Sequence, residues 1–248
     1  MKAFVLAAGL GTRLKPWTLS HPKALVPVGG IPMLGRVLTR LKDEGFDEVV
    51  VNVHHFSGQI VDFLLAHDFG LRVRVSDESG RLLDTGGGLL QAAKMLVDSG
   101  APFLVHNVDI LSDAPLAELM KIHRESGRDI SLVTSGREST RKLVFDTDGN
   151  LRGWHNLTTG EYKPEGFHPA PGDHEAAFSG IYIVGPSVKG QLAAYSGRIG
   201  DDRFPVMDFF LDAAKKNNIG EIKLDKLNLI DIGKPDTLRQ AEGLFPGS

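Results

Sequence analysis

The sequence predicts a three-layer α/β/α domain of the doubly wound, Rossmann-like class, with a mixed, mainly parallel central sheet and a small β-rich insertion. Three observations predict it. Through roughly the first 135 residues, short apolar runs of strand length alternate with helical periodicities, the pattern of βαβ units. A glycine turn, Gly9-Leu10-Gly11, follows the first apolar run at once, as in folds that bind a ligand at the end of their first strand. After residue 140 the alternation gives way to hairpin-like patterning.

Taken in order, residues 2–7, apolar from Ala3 onward, read as a buried strand. Residues 33–44 carry Met33, Leu34, Val37, Leu38 and Leu41 at helical spacing, and Gly45 ends that helix. Residues 48–53 (EVVVNV) read as a second buried strand, and 57–66 as a helix with Ser57 at its N-cap. Arginines alternate along 71–76, which places that strand near a sheet edge. Residues 88–96 read as a helix, 102–105 (PFLV) as a central strand ending at His106-Asn107-Val108-Asp109, 115–126 as a helix and 130–134 as a strand.

In the second half, 142–145 and 151–154 flank Asp146-Thr147-Asp148-Gly149-Asn150 and read as a hairpin. Residues 158–173, rich in Pro, Gly and His, read as an irregular arm. A strand over 177–184, a helix over 206–214, a strand over 227–231 and a closing helix over 235–242 complete the chain. Right-handed crossovers set helices on both faces, and ligands then gather at the carboxyl ends of the strands. Ala8-Gly9, Asp109 and the end of the 48–53 strand are expected on one rim. We expect one domain over 1–248, with a first part about 1–135 and a second about 136–248.

Composition removes several function classes. With no cysteine, disulfides, thiolate metal sites and a cysteine nucleophile are excluded together. A net charge of −3 offers no bulk attraction to nucleic acid or to a membrane surface, so neither is expected as a partner. No apolar run approaches a bilayer span and the amino terminus lacks the long apolar region of a signal peptide, so a cytoplasmic protein is expected.

The stretch Leu6-Ala7-Ala8-Gly9-Leu10-Gly11-Thr12-Arg13 fits two common phosphate motifs poorly. Leu14 stands where a dinucleotide fingerprint needs its third glycine, and no lysine follows Gly11 as a Walker loop demands. A third reading has the amides of residues 8–12 converging on an anion, with Arg13 adding bidentate donors and Lys23 a point charge. The competing reading is a plain tight turn with solvated cations.

The longer string LAAGLGTRLKPWTLSHPKALVPV resembles the two-part signature of the sugar-1-phosphate nucleotidyltransferases, in which L-A-[AG]-G-x-G-[ST]-R-[LM]-x-P-x-T precedes P-K-x-[LM]-x-P-[VI]. Leu6, Ala7, Ala8, Gly9, Gly11, Thr12, Arg13, Pro16, Thr18, Pro22, Lys23, Leu25, Pro27 and Val28 all match. Thr85-Gly86-Gly87, Asp109, Phe178-Ser179-Gly180-Ile181 and Asp231-Ile232-Gly233 follow in family order.

The resemblance implies an enzyme that joins an NTP to a sugar 1-phosphate with Mg²⁺, on the family's nucleotidyltransferase fold. It implies nucleotide binding by Leu6, Ala7, Ala8, Gly9, Gly11, Thr12, Arg13, Lys23, Thr85, Gly86 and Gly87. Arg13 and Lys23 would carry catalysis with Asp109. Asp109 and Asp231 would hold the metal, and Asn156, Ser179 and Gly180 the sugar. Loop or helix capping is the competing reading for Asp109 and for Asp231, and a helix-start turn for the Thr85 glycines.

Departures from the pattern are Val108 where relatives carry glycine before the aspartate, Lys234 in the late element, and the absence of the usual Glu-Lys-Pro. No hexapeptide repeats are present, and the chain is most similar to short uridylyltransferases acting on N-acetylmuramate 1-phosphate. Guanylyltransferases of mannose or heptose 1-phosphate are the alternative, and a non-catalytic nucleotide or sugar-phosphate sensor is the alternative from another class. A monomer or a homo-oligomer fits equally.

Overall fold

In the computed structural model, which describes residues 1–97, 100–216, 218–233 and 235–244, the sheet grows outward from β1 (Lys2–Leu6). A short hairpin of β2 (Pro27–Val28) and β3 (Ile31–Pro32) leads into α1 (Met33–Asp43), β4 (Glu48–Val53), α2 (Ser57–Ala66) and β5 (Arg72–Asp77). Next come α3 (Asp84–Leu96), β6 (Phe103–Asn107), β7 (Ile110–Ser112), α4 (Leu116–Ser126) and β8 (Ile130–Ser135). The second half adds β9 (Arg141–Phe145), β10 (Leu151–Asn156), β11 (Glu161–Lys163), β12 (His174–Val184), α5 (Val188–Ile199), α6 (Val206–Ala213), β13 (Ile219–Leu224), β14 (Leu229–Asp231) and α7 (Pro235–Leu244).

The main sheet runs β5-β4-β1-β6-β12-β8-β13. All its pairings are parallel except those of β12, which lies antiparallel to β6 and β8, so the sheet is mixed and mainly parallel. β5 is an edge strand, as its alternating arginines predict.

Both faces are covered, which is why the central strands β1, β4 and β6 carry near-continuous apolar runs. Phe4, Val50 and Val105 pack on one side with Leu89 and Leu96 of α3 and Phe209 and Phe210 of α6. Ala3, Val5, Val49 and Val51 pack on the other with Leu34, Leu38 and Leu41 of α1 and Leu116 and Leu119 of α4. Each such leucine removed from water contributes about 1.5–3 kcal/mol, so the α1 stripe alone decides which face that helix presents. β12 is long enough to serve two sheets. Its residues 174–176 pair with β9, whose neighbours β10 and β11 complete the insertion, while its later residues join the main sheet.

Four local readings change. Ser57 is the first helical residue, not the cap; Phe56 occupies the cap in a left-handed conformation, and no side chain caps the helix. α3 starts at Asp84, four residues before the predicted start at 88, so the three glycines lie inside the helix. The 158–173 arm contains β11, and α5 and β13 were not read at all. α5 buries only Val188 and Leu192, too few apolar anchors to leave a clear period, and β13 interleaves Glu221 and Lys223 with its apolar residues.

Candidate active site

The carboxyl ends of β1, β4 and β6 open on one cleft, as the sheet topology requires. A cavity of about 200 Å³ there is lined by Leu6, Ala7, Ala8, Gly9, Lys23, Asn52, Leu82, Asp84, Thr85, Asn107, Val108 and Asp109. The predicted rim of Ala8-Gly9, Asp109 and the end of the 48–53 strand is therefore observed.

The loop after β1 is shaped by Gly11, whose φ of 62° is left-handed. A Cβ there would lie 2.8 Å from the Lys23 Cβ, so only glycine lets the segment carrying Lys23 pack this closely. Thr18 Oγ1 donates to the Gly11 carbonyl at 2.9 Å and secures the turn. Lys23, almost buried, ends in an ion pair with the Asp109 carboxylate.

Not all the loop amides await a ligand. The Asn52 side-chain oxygen accepts from Ala7 N at 2.7 Å and from Ala8 N at 3.3 Å. Asn52 in turn donates to Glu78 Oε1 at 2.7 Å, and Glu78 Oε2 accepts from Leu83 N. Neither Asn52 nor Glu78 was singled out from the sequence: a polar residue within an apolar strand announces no partner, and Glu78 sits in the polar stretch just after β5. Burial pushes the Glu78 carboxyl up from its ordinary range, partly opposed by the hydrogen bond from Asn52. Among the described residues, the Gly9, Leu10 and Gly11 amides donate to no other protein group.

A third apolar cluster, of Leu14, Val26, Val28, Met33, Leu111, Ile230, Ile232 and Ala241, ties four distant segments together. It holds β14 against β7, pairing Asp231 with Ile110, and the Ile232 amide donates to the Asp109 carbonyl at 2.8 Å. Both aspartates so reach one rim. Burial and the neighbouring Asp109 push the Asp231 carboxyl up, against Lys23, Arg13 and Arg137, although its side chain still opens to the cleft. Arg13 lies over Gly233, where a Cβ would stand 2.5 Å from its Nη2 and 3.0 Å from Asp231 Oδ1. Val108 takes no positive φ; it is buried and donates its amide to the Leu6 carbonyl at 3.1 Å, so the position needs no glycine. Lys234 lies outside the described residues.

Other predicted residues are engaged in packing or backbone contacts. Gly86 and Gly87 face the 202–204 segment: a Cβ on Gly86 would stand 2.3 Å from Phe204, and one on Gly87 2.0 Å from the Asp202 carbonyl. They are glycines because another chain segment crosses there, and only Thr85 of that string lines the cavity. Asn156 secures the turn after β10, accepting from Thr158 N at 3.0 Å. Ser179 is fully buried and donates to the Val133 carbonyl at 2.8 Å. Gly180, with φ 77°, lets β12 bulge past Asn107.

Beyond Asp231 lies a second cavity of about 400 Å³ lined by Arg137, Arg141, Lys142, Trp154, Lys163, Phe178, Asp208 and Asp231 among others. It is strongly cationic. Lys163 stands 5.5 Å from the centre of the Trp154 ring, and among the described residues the buried Arg137 Nε has no protein partner. Lys163 sits in Tyr162-Lys163-Pro164, where the Lys-Pro pair with tyrosine replacing glutamate was the available signal. The arginines of 137–141 had none, because only the turn between β8 and β9 carries them to the cleft.

The cleft therefore combines a glycine loop, the cations Arg13, Lys23 and Arg137, and the neighbouring carboxylates Asp109 and Asp231, a set suited to polyanions and a hard divalent cation. No group of three or more metal-ligating side chains occurs among the described residues, so an ion there would complete its shell from ligand oxygens and water. No described helix is long and apolar enough to cross a membrane.

The profile of the family described as "Nucleotidyl transferase" matches residues 2–243. Mannose-1-phosphate guanylyltransferase 1 of Arabidopsis thaliana is 32% identical over 208 residues, covering 83% of this chain and 55% of that protein. Probable mannose-1-phosphate guanylyltransferase 3 of Oryza sativa subsp. japonica is 38% identical over 212 residues, with the same 83% and 55% covered. The chain thus spans about half the length of these curated relatives. Among solved structures, HddC from Yersinia pseudotuberculosis superposes with a TM-score of 0.76 at 24% identity, covering 98% of this chain and 99% of that one. A putative glucose-1-phosphate thymidylyltransferase from Bacillus anthracis gives 0.79 at 17% identity, over 98% and 94%. These two likenesses establish the shared fold.

Proposed function

The chain belongs to the nucleotidyl transferase family, and from that premise we propose that it transfers a nucleotidyl group from an NTP to a sugar 1-phosphate, releasing pyrophosphate. The observation that carries the reading is the convergence of Lys23, Asp109 and Asp231 beside the glycine loop. In this reading an oxygen of the sugar phosphate attacks the α-phosphorus in line, a new P–O bond forms, and the bond to the departing pyrophosphate breaks. Such transfer depends on positioning and charge neutralisation more than on covalent participation.

The Gly9–Gly11 amides and Arg13 suit the triphosphate, and Lys23 suits the α-phosphate and incoming sugar phosphate. The cationic second cavity suits the sugar phosphate, with Trp154 beside it. Asp109 and Asp231 are the residues that would hold a divalent ion, Mg²⁺ in our reading. The mutual repulsion raising the Asp231 carboxyl is what a cation would relieve. When bound, that ion would offset the negative charge shared by the two phosphate substrates.

For the base we favour guanine. The curated relatives are named as mannose-1-phosphate guanylyltransferases, and the glycines that pointed to uridine are occupied in packing. The test is pyrophosphate release with each NTP, Mg²⁺ and a panel of sugar 1-phosphates. Turnover with GTP and a hexose 1-phosphate is expected. Nucleotide binding without turnover on any pair would instead identify a sensor.

A further inference from the structure

Asp84 is one of two non-glycine residues with positive φ among the described residues, at 61°. An aspartate held there costs about 1 kcal/mol or more relative to an unstrained backbone. Glycine would remove that cost, so the carboxylate has a use that offsets it. Its setting shows what the use is. Asp84 lines the same cavity as Ala7, Ala8 and Asn107, and lies with Leu82 and Asn52 among the lining residues other than the Lys23–Asp109 pair. Asp84 Oδ1 accepts from Thr85 N at 2.6 Å and from Thr85 Oγ1 at 3.3 Å. Thr85 Oγ1 is itself held by Val206 N at 2.9 Å, so α6 fixes the carboxylate's orientation. Among the described residues no protein donor is bonded to Oδ2.

We propose that Asp84 determines nucleobase specificity by accepting hydrogen bonds from the Watson–Crick edge of guanine. This deepens the reading above and rests on it. A fixed carboxylate is an acceptor only. Guanine offers two adjacent donors, N1–H and the 2-amino group, which Oδ2 can accept together as a charge-assisted pair while Oδ1 stays with Thr85. Uracil offers one donor flanked by two carbonyl oxygens, which the carboxylate repels. Adenine and cytosine present ring-nitrogen acceptors at the corresponding place. Discrimination then comes from repulsion as well as attraction.

Calorimetry of GTP, ITP, UTP, ATP and CTP binding to the full chain tests this without requiring turnover. ITP is the decisive probe, because it lacks the 2-amino group and leaves the rest of the ligand unchanged. Wild type should bind GTP on the order of 10-fold more tightly than ITP, the size of one charge-assisted hydrogen bond. Asp84→Asn and Asp84→Gly both tolerate the backbone conformation, so the fold should survive. Both should bring the GTP-to-ITP ratio near one and weaken GTP binding roughly 10- to 100-fold. A ratio unchanged in both variants, or a wild type that prefers UTP, ATP or CTP, overturns the assignment while leaving the nucleotidyltransferase reading intact. Failure to bind any nucleotide overturns both.

Discussion

The Ile232 amide donates to the Asp109 carbonyl at 2.8 Å, although 122 residues lie between the two in the chain. That bond continues the pairing of β14 with β7 and delivers Asp231 to the rim that Asp109 already occupies.

If these carboxylates share an ion, each should matter to chemistry more than to folding. Asp109→Asn and Asp231→Asn should each lower kcat by about 10²–10³-fold and raise the Mg²⁺ concentration needed for half-maximal rate. Asp231→Asn also removes a carboxylate whose charged form burial and Asp109 disfavour, so its melting temperature should not fall. Pyrophosphate release against Mg²⁺ concentration, with thermal denaturation alongside, reads both effects.

Lys23 should act where charge builds up. Lys23→Met should cut kcat by about 10²-fold or more while changing nucleotide KM only a few-fold, because interactions stronger in the transition state appear in kcat. Steady-state kinetics with the best substrate pair measure the split. A rise in KM at unchanged kcat would place Lys23 in ground-state binding only.

The two glycine groups should separate by stability. Gly87→Ala sets a methyl 2.0 Å from the Asp202 carbonyl, which backbone must move to relieve. We expect a loss of about 1–3 kcal/mol or more, or about 2–4 °C of melting temperature for each kcal/mol in a chain of this size. Gly9→Ala meets no atom within 4 Å and should leave stability nearly unchanged. Thermal denaturation of the two variants decides.

Acid should destabilise the fold through buried histidines. Burial lowers His123 from 6.5 to about 4, and its Nδ1 lies 2.8 Å from Ser131 Oγ. The unfolded chain takes up a proton near pH 6.5 that the folded chain refuses until about pH 4. The contribution is therefore present above 6.5 and lost as pH falls towards 4, on the order of 3 kcal/mol in full. His123→Gln should lose less stability than wild type between pH 7 and 4.5, as read by urea denaturation. His106, also lowered to about 4 by burial, adds to the same slope in both proteins.

Glu78 should act in the opposite direction. Its raised carboxyl favours the folded state fully below its ordinary value of 4.5, and that contribution fades as pH rises through the folded value. Glu78→Gln should abolish this slope relative to wild type. It should also weaken nucleotide binding several-fold, because the amide has one acceptor oxygen for two donors, Asn52 Nδ2 and the Leu83 amide, and Asn52 is then held less firmly toward the Ala7 and Ala8 amides. Parallel urea titrations and calorimetry would detect either failure.

The sequence by itself determined the layers and the rim. Strand and helix periods are local, so β1, β4, α1 and the β9–β10 hairpin followed from which residues must leave water. Gly11, Arg13 and Lys23 were legible because they fall in one continuous stretch of motif, residues 6–28. Only the tertiary structure decided what depends on a crossing segment. It alone showed that Gly86 and Gly87 are occupied by the 202–204 segment. It also showed that Ser179 and Asn156 satisfy backbone groups rather than face the second cavity, and that Arg137 and Lys163 do line it. The physical reason is that a hydrogen bond or a close packing contact names its partner by position in space, and a side chain's own chemistry does not reveal which distant backbone will arrive there.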